Sequence, residues 1–301
     1  MSEYADTAPI ADQQDWSNLD AWLRREVPDL DGEMTVRQFT GGHANLTYCV
    51  TFGTTELVVR RPPFGEIAPG AHDMSREYRV LHGLGPVFDR APRALAFCDD
   101  LAVIGAPFLV VERRNGVVVR DAIPAELGAG ADAARKISLA LVDALADLHV
   151  INPSDVGLER LGRPDGFVDR QLTGWHDRWH RIDGGSGNRF DNATFDAAHE
   201  HLVAAQPSSP RVSIVHNDVK LDNAMFEAGQ PGRVSSIFDW DMTTLGDPLI
   251  DLGTLLGYWK EPTDEVDRAP TIALDMTGFP TRAELVERYA AAGHEVDHIQ
   301  W

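Results

Sequence analysis

The chain has 301 residues, 43% hydrophobic and 25% charged, the composition of a folded globular protein with room for two cores rather than of a disordered one. Lys and Arg number 27 against 47 Asp and Glu, a formal net charge of −20, which excludes a nucleic-acid backbone as the main partner. Cys49 and Cys98 lie in apolar stretches without metal-ligand spacing and read as buried thiols; no basic-then-apolar leader or long apolar run is present, so a cytoplasmic protein with no membrane partner is expected.

The first fourteen residues are polar and read as frayed. Trp16, Leu19, Trp22 and Leu23 then recur at helical spacing, and Pro28 ends that short helix. Three strands rich in β-branched and aromatic residues follow at 34–39, 46–52 and 56–60, broken by Gly41 and Gly42 and then by Gly53. A helix is predicted over 73–84, with Met74, Tyr78 and Leu81 on one face, and further strands near 93–97 and 107–112. Strands with one helix make a small α+β lobe. Residues 131–149 carry apolar positions Ile137, Leu141, Leu145 and Leu148 at helical spacing and open a mostly helical second half. Residues 153–210, broken by Gly, Pro and Asp around a helix at 175–181, read as an insertion with its own helices. Short strands at 212–215 and 234–238 flank the most informative loop. The expected organisation is an N-terminal extension at 1–30, an N-terminal lobe at 31–113 and a C-terminal lobe at 114–301.

After the strand ending at Val215 come His216, Asn217, Asp218, Val219, Lys220, Leu221, Asp222 and Asn223; after the next strand come Asp239, Trp240 and Asp241. The first segment has the His-x-Asp-x-x-x-x-Asn spacing of a kinase catalytic loop, and the second supplies an acid where kinases place a metal-binding Asp. Phosphoryl transfer asks a protein for positioning and charge neutralisation more than for covalent chemistry. Asp218 is therefore the candidate base for an acceptor hydroxyl. Asn223 and Asp239 are the candidate Mg²⁺ ligands, because Mg²⁺ takes oxygen donors from one or two protein groups plus phosphates and water. His216 reads as a structural hydrogen-bonding residue, and Asp241 fits either a second acid at the metal site or a cap.

Gly41 and Gly42 join two predicted strands, where glycines let backbone amides approach the phosphates of ATP, and Asn45 either caps that turn or touches a phosphate. Arg60 ends the third strand and Glu77 lies in the following helix, the order of the phosphate-binding cation and its helix partner in kinases. Arginine replaces the usual lysine and keeps the charge; Arg61 is its rival. An adenine hinge is expected near Val111 to Arg113.

Together these residues resemble the aminoglycoside phosphotransferase and choline kinase superfamily, from about residue 30 to the last residue. The segments 58–63, 102–108 and 245–252 resemble the branch of kinase-like domains fused to acyl-CoA dehydrogenases. The resemblance implies a protein-kinase-like two-lobed α+β fold, with a small antiparallel-sheet N-lobe and a larger, mostly helical C-lobe. It also implies ATP and Mg²⁺ as cofactors, Arg60 as the branch's cation, and Asp251 as a structural anchor. The implied acceptor is a small hydroxylated molecule, first of all a hydroxyacyl thioester; the alternatives are an aminoglycoside or a catalytically silent nucleotide-binding pseudokinase. Two features depart from the pattern. Asn217 stands where glycine is common, and Trp301 falls inside a helix-like pattern that continues in relatives, which implies a truncated C-terminal part.

Overall fold

The computed structural model describes residues 7–8, 16–39, 45–65, 72–183, 192–207, 211–264 and 274–300. Strands β1 (Thr7–Ala8), β2 (Met34–Phe39), β3 (Leu46–Phe52), β4 (Thr55–Arg61), β5 (Ala94–Cys98) and β6 (Phe108–Glu112) form one antiparallel sheet, in the order β1-β2-β3-β4-β6-β5. Gly53, at φ 55°, closes the tight turn between β3 and β4.

Alternation along the strands gives this sheet two buried faces. Tyr48, Val50, Phe52, Leu57, Val59, Phe108 and Val110 pack with Leu19, Trp22 and Leu23 of helix α1 (Ser17–Glu26) and with the four-residue helix α3 (Leu101–Ile104). Cys49, Val58, Leu109 and Val111 belong to the opposite cluster, with Met74, Val80, Leu81 and Leu84 of helix α2 (Met74–Leu84). The Asp73 side chain caps α2 by accepting from the N–H groups of Ser75 and Arg76.

The remainder comprises β7 (Val117–Val118), α4 (Gly130–His149), α5 (Phe167–Asp183), α6 (Asn192–Ala204), β8 (Ser213–Val215), β9 (Ala224–Glu227), β10 (Gln230–Ile237), β11 (Thr244–Gly246), α7 (Pro248–Tyr258) and α8 (Arg282–Ala291). β10, β9 and β7 form a three-stranded sheet in that order, and β8 pairs with β11. Ile137, Leu141, Leu145 and Leu148 of α4 are buried in a core that includes Leu252 and Leu255 of α7 and Leu285 and Tyr289 of α8. That core is continuous with the α2 face of the first sheet. The two-lobed α+β arrangement expected from the sequence is borne out. Among the described residues, no helix is long and apolar enough to cross a membrane.

Several elements differ from the sequence reading. Thr7–Ala8 is paired with Phe39 and Gln38 rather than frayed, and Arg37 reaches across to the Thr7 carbonyl and hydroxyl. Helix α5 starts at Phe167, eight residues before 175, and ends at Asp183, two past 181. Strand β10 begins at Gln230, not at 234, and its early part is bulged, which hides the alternation. Helices α7 and α8 were not assigned, although both carry start signals: Asp247 followed by Pro248, and a Thr281–Glu284 capping box.

Candidate active site

Strand β8 delivers the chain to a turn held by one buried carboxylate. Asp251, near the start of α7 and with none of its surface exposed, accepts 2.6 Å hydrogen bonds from the backbone N–H groups of His216 and Asn217 and lies 3.1 Å from His149 Nε2. Two short bonds to a single buried carboxylate fix this loop from beneath. Asn217 has φ 69°, a left-handed conformation that suits glycine and asparagine, and its side-chain amide donates to the Met242 carbonyl at 2.8 Å. Asparagine therefore replaces glycine here without loss of geometry. His216 donates from Nε2 to the Phe238 carbonyl at 2.9 Å, and its Nδ1 accepts from the Asp218 N–H at 3.3 Å. Both bonds require the same neutral tautomer.

The β9–β10 pairing then brings the two motifs together, because Ala224 pairs with Ile237 and the Phe238 N–H donates to the Asn223 carbonyl at 2.8 Å. The Asn223 side-chain amide donates to the Asp218 carbonyl at 2.9 Å and to Asp218 Oδ2 at 2.8 Å. Lys220 Nζ also lies 2.8 Å from that oxygen. Among the described residues, Asp218 Oδ1 accepts a longer 3.2 Å bond from Tyr258, at the end of α7, and no other. Burial alone would lower the Lys220 pKa, but its bond to Asp218 and the charge of Asp218 outweigh burial and raise it.

Asp239 sits at φ 70° and ψ 59°, an uncommon conformation for a residue other than glycine. Its Oδ1 lies 3.0 Å from Arg60 Nη2, and Arg60 Nη1 lies 2.5 Å from Oε1 of the fully buried Glu77. Burial pushes the Asp239 carboxyl up, yet the Arg60 charge and hydrogen bond hold it below its ordinary value. Glu77 is pushed up to about 7, first by burial and then by the charges of Asp239 and Asp241, against the pull of Arg60. Asp241 is raised by its own burial and by Asp239. Arg76 donates twice to the Thr243 carbonyl, at 2.9 and 2.6 Å, and so ties α2 to the turn after Asp239.

Asn45, Arg60, Glu77, Val111, Arg113, Asp218, Asn223 and Asp239 all line one cleft of about 480 Å³. Gly41 and Gly42 lie outside the described residues. The choice between neighbouring arginines follows from strand parity: Arg60 shares the cleft face with Val58, whereas Arg61, on the Val59 face, is 3% exposed and donates to the Ile104 carbonyl. Arg113 lies over the Phe39 ring at 4.8 Å. Sequence reasoning missed Lys220, Tyr258, Arg114 and Arg120. Lys220 lies inside the motif, two residues from Asp218, and was there to be found; Tyr258 is 40 residues from Asp218 and only the fold unites them.

The family model described as "Phosphotransferase enzyme family" matches residues 35–297. The chain belongs to that family. Among curated relatives of this phosphotransferase-family chain, acyl-CoA dehydrogenase family member 11 of Rattus norvegicus is 31% identical over 299 residues, covering 96% of this chain and 37% of the relative. The chain thus spans little more than a third of that relative's length. Among solved structures, a candidate aminoglycoside phosphotransferase of Ralstonia eutropha superposes with a TM-score of 0.74 at 26% identity, over 93% of this chain and 80% of that one. Choline kinase of Cryptosporidium parvum superposes with a TM-score of 0.65 at 13% identity, over 92% and 78% of the two chains, which is a likeness of fold.

Proposed function

We propose that this phosphotransferase-family chain transfers the terminal phosphoryl group of ATP, bound with Mg²⁺, to a hydroxyl of a small molecule. The nucleotide would lie between lobes formed by residues 31–113 and 114–301. The observation that carries the reading is the convergence of Asp218, Asn223, Asp239 and Arg60 on one cleft. The donor set fits the metal: Asn223 turns its amide hydrogens toward Asp218, leaving its amide oxygen, and Asp239 keeps Oδ2 beside its Arg60 bond. Both are oxygen ligands of the kind Mg²⁺ requires. The cleft also holds buried donors with no hydrogen-bond partner among the described residues, Asn45 Nδ2 and the Nε atoms of Arg113 and Arg114, which suit a polyanion.

When bound, Mg²⁺ and ATP supply the transferable phosphoryl group and neutralise charge on its oxygens. Asp218 orients the acceptor hydroxyl and takes its proton. Oδ2 is occupied by Asn223 and Lys220, so Oδ1, held among the described residues by Tyr258 alone, would be the oxygen that faces the acceptor. Arg60 steadies the phosphates from the sheet while Glu77 fixes its direction. Arg113, Arg114, Arg120 and Lys220 line the cleft alongside its acids, so it is not the purely acidic pocket that a polycationic aminoglycoside would favour. A hydroxyacyl thioester is the acceptor class we place first, on the resemblance to the acyl-CoA dehydrogenase-linked relatives.

The test is to incubate the protein with Mg²⁺ and ATP against hydroxyacids, hydroxyacyl-CoA thioesters, amino alcohols and aminoglycosides, reading added phosphate by mass spectrometry. Asp218→Asn is expected to cut turnover by about 10²- to 10⁴-fold while keeping the ATP-induced thermal shift. Asp239→Ala is expected to lose the Mg²⁺-dependent part of that shift. Wild-type turnover in Asp218→Asn would remove Asp218 as the base.

A further inference from the structure

Helix α6 poses a problem of stability. It has 13 residues, none of its described residues is buried, and a helix of that length is marginal alone in water. What attaches it to α5 is a compact set of polar and aromatic contacts. Trp179 lies flat on Phe195, with centroids 4.2 Å apart and planes at 3°, and donates to Asn192 Oδ1 at 2.7 Å.

Beside that stack, His176 and His180 stand one turn apart on α5, and Asp196 and His199 three residues apart on α6, so each pair shares a helix face. His180 Nε2 lies 2.7 Å and His176 Nε2 3.3 Å from the same Asp196 Oδ1. One donor atom from each of these three residues lies within 4.8 Å of the others. The His199 ring packs 4.3 Å from that of His176, and its Nε2 is buried with no hydrogen-bond partner among the described residues. Two imidazoles converge on one carboxylate oxygen while a third packs against the first with its buried nitrogen unbonded among the described residues, a costly arrangement if hydrogen bonding is its only purpose. A cation that takes imidazole nitrogen and carboxylate oxygen gives the convergence a cause.

We propose that His176, His180 and Asp196 bind one Zn²⁺ ion that joins α6 to α5, at a site separate from the phosphotransfer cleft. None of the three lines that cleft. Mixed nitrogen and oxygen ligation selects Zn²⁺ over Mg²⁺ or Ca²⁺, which take oxygen alone. Ligand bonds of about 2.0–2.2 Å in a tetrahedron separate the ligating atoms by roughly 3.3 Å. His176 Nε2 already stands at that distance from Asp196 Oδ1, at 3.3 Å, and His180 Nε2, at 2.7 Å, has to draw back by a rotamer adjustment. His199 is placed beside the ion to complete the shell or to support His176.

The experiment uses the full chain without a tag, stripped of metal and titrated with Zn²⁺ against a chromophoric chelator. One ion per chain is expected, with a rise in the thermal midpoint. His180→Gln and Asp196→Asn are each expected to weaken binding by more than about 100-fold, beyond the loss typical of a supporting residue. Asp239→Ala, which alters the cleft, should keep it. Co²⁺ added to the unmutated chain should give the intense visible bands of a four- or five-coordinate site, a reading that does not depend on how the variants fold. Absence of stoichiometric Zn²⁺ binding, a hexa-aqua-like Co²⁺ spectrum, or unchanged affinity in both folded variants would overturn the proposal.

Discussion

Replacing Arg60 by alanine should produce a loss of stability that grows with pH, because Glu77 has no water to fall back on. Glu77 is fully buried, and its carboxyl titrates at about 7 rather than at its ordinary 4.5. A raised carboxyl pKa stabilises the folded state least when the group is ionised. The protonated form is present in both states below pH 4.5; as pH rises from there the unfolded chain ionises first, and stability declines until the folded group ionises near 7. At about 1.4 kcal/mol per unit, the decline totals about 3 kcal/mol and then stops. In Arg60→Ala the cation that draws Glu77 downward is gone, while burial, Asp239 and Asp241 still push it up. Glu77 then stays protonated beyond pH 7, and the decline continues. At pH 6 the variant should lose only the Arg60 hydrogen bonds, about 1–3 kcal/mol; at pH 8 a further increment of about 1.4 kcal/mol is expected. Urea unfolding at pH 6, 7 and 8 measures this directly, with Arg60→Ala compared in wild-type and Glu77→Gln backgrounds. An equal loss at pH 6 and pH 8, or an increment just as large with Gln at position 77, would refute the reasoning.

Asp251→Asn offers one acceptor oxygen to two backbone N–H groups and sets an amide donor against one of them; about 3 kcal/mol of stability should be lost, with a fall in turnover, since His216 and Asn217 hang from that carboxylate. A melting point and turnover both equal to wild type would show that the loop does not need the anchor. At Gly116 an added Cβ would sit 2.5 Å from the backbone oxygen of Phe226 and 2.5 Å from Met225 Cγ, where β7 meets β9. Gly116→Ala is therefore expected to cost about 1–3 kcal/mol, because a backbone atom cannot step aside, and an unchanged denaturation midpoint would contradict it.

The central strands β3, β4 and β6 were legible because each holds consecutive β-branched, aromatic or leucine residues buried on both faces. The short strands β7 and β9 and the bulged β10 offer no such pattern, yet they bring Asn223 alongside Phe238 and so assemble the site. Parity also held more information than was drawn from it. Counting in twos from Val58 puts Arg60 on the cleft face and Arg61 on the other, a distinction that spacing from Glu77 alone left open.

What the sequence could not disclose is the charge balance of the cleft. Arg60 and Asp239 are 179 residues apart and form an ion pair that also governs the protonation of Glu77. Arg60 is shared between the carboxylates of Glu77 and Asp239. On the proposed assignment, both would lose part of its charge if it turned toward phosphate, and Mg²⁺ at Asp239 would restore a cation there, so metal and nucleotide should bind with positive coupling. Arg60→Ala should weaken that coupling even where each ligand still binds alone. A thermodynamic cycle of ATP affinity with and without Mg²⁺, in wild type and in Arg60→Ala, tests it; an identical Mg²⁺ effect in both proteins would mean that Arg60 steadies the apo fold and nothing more.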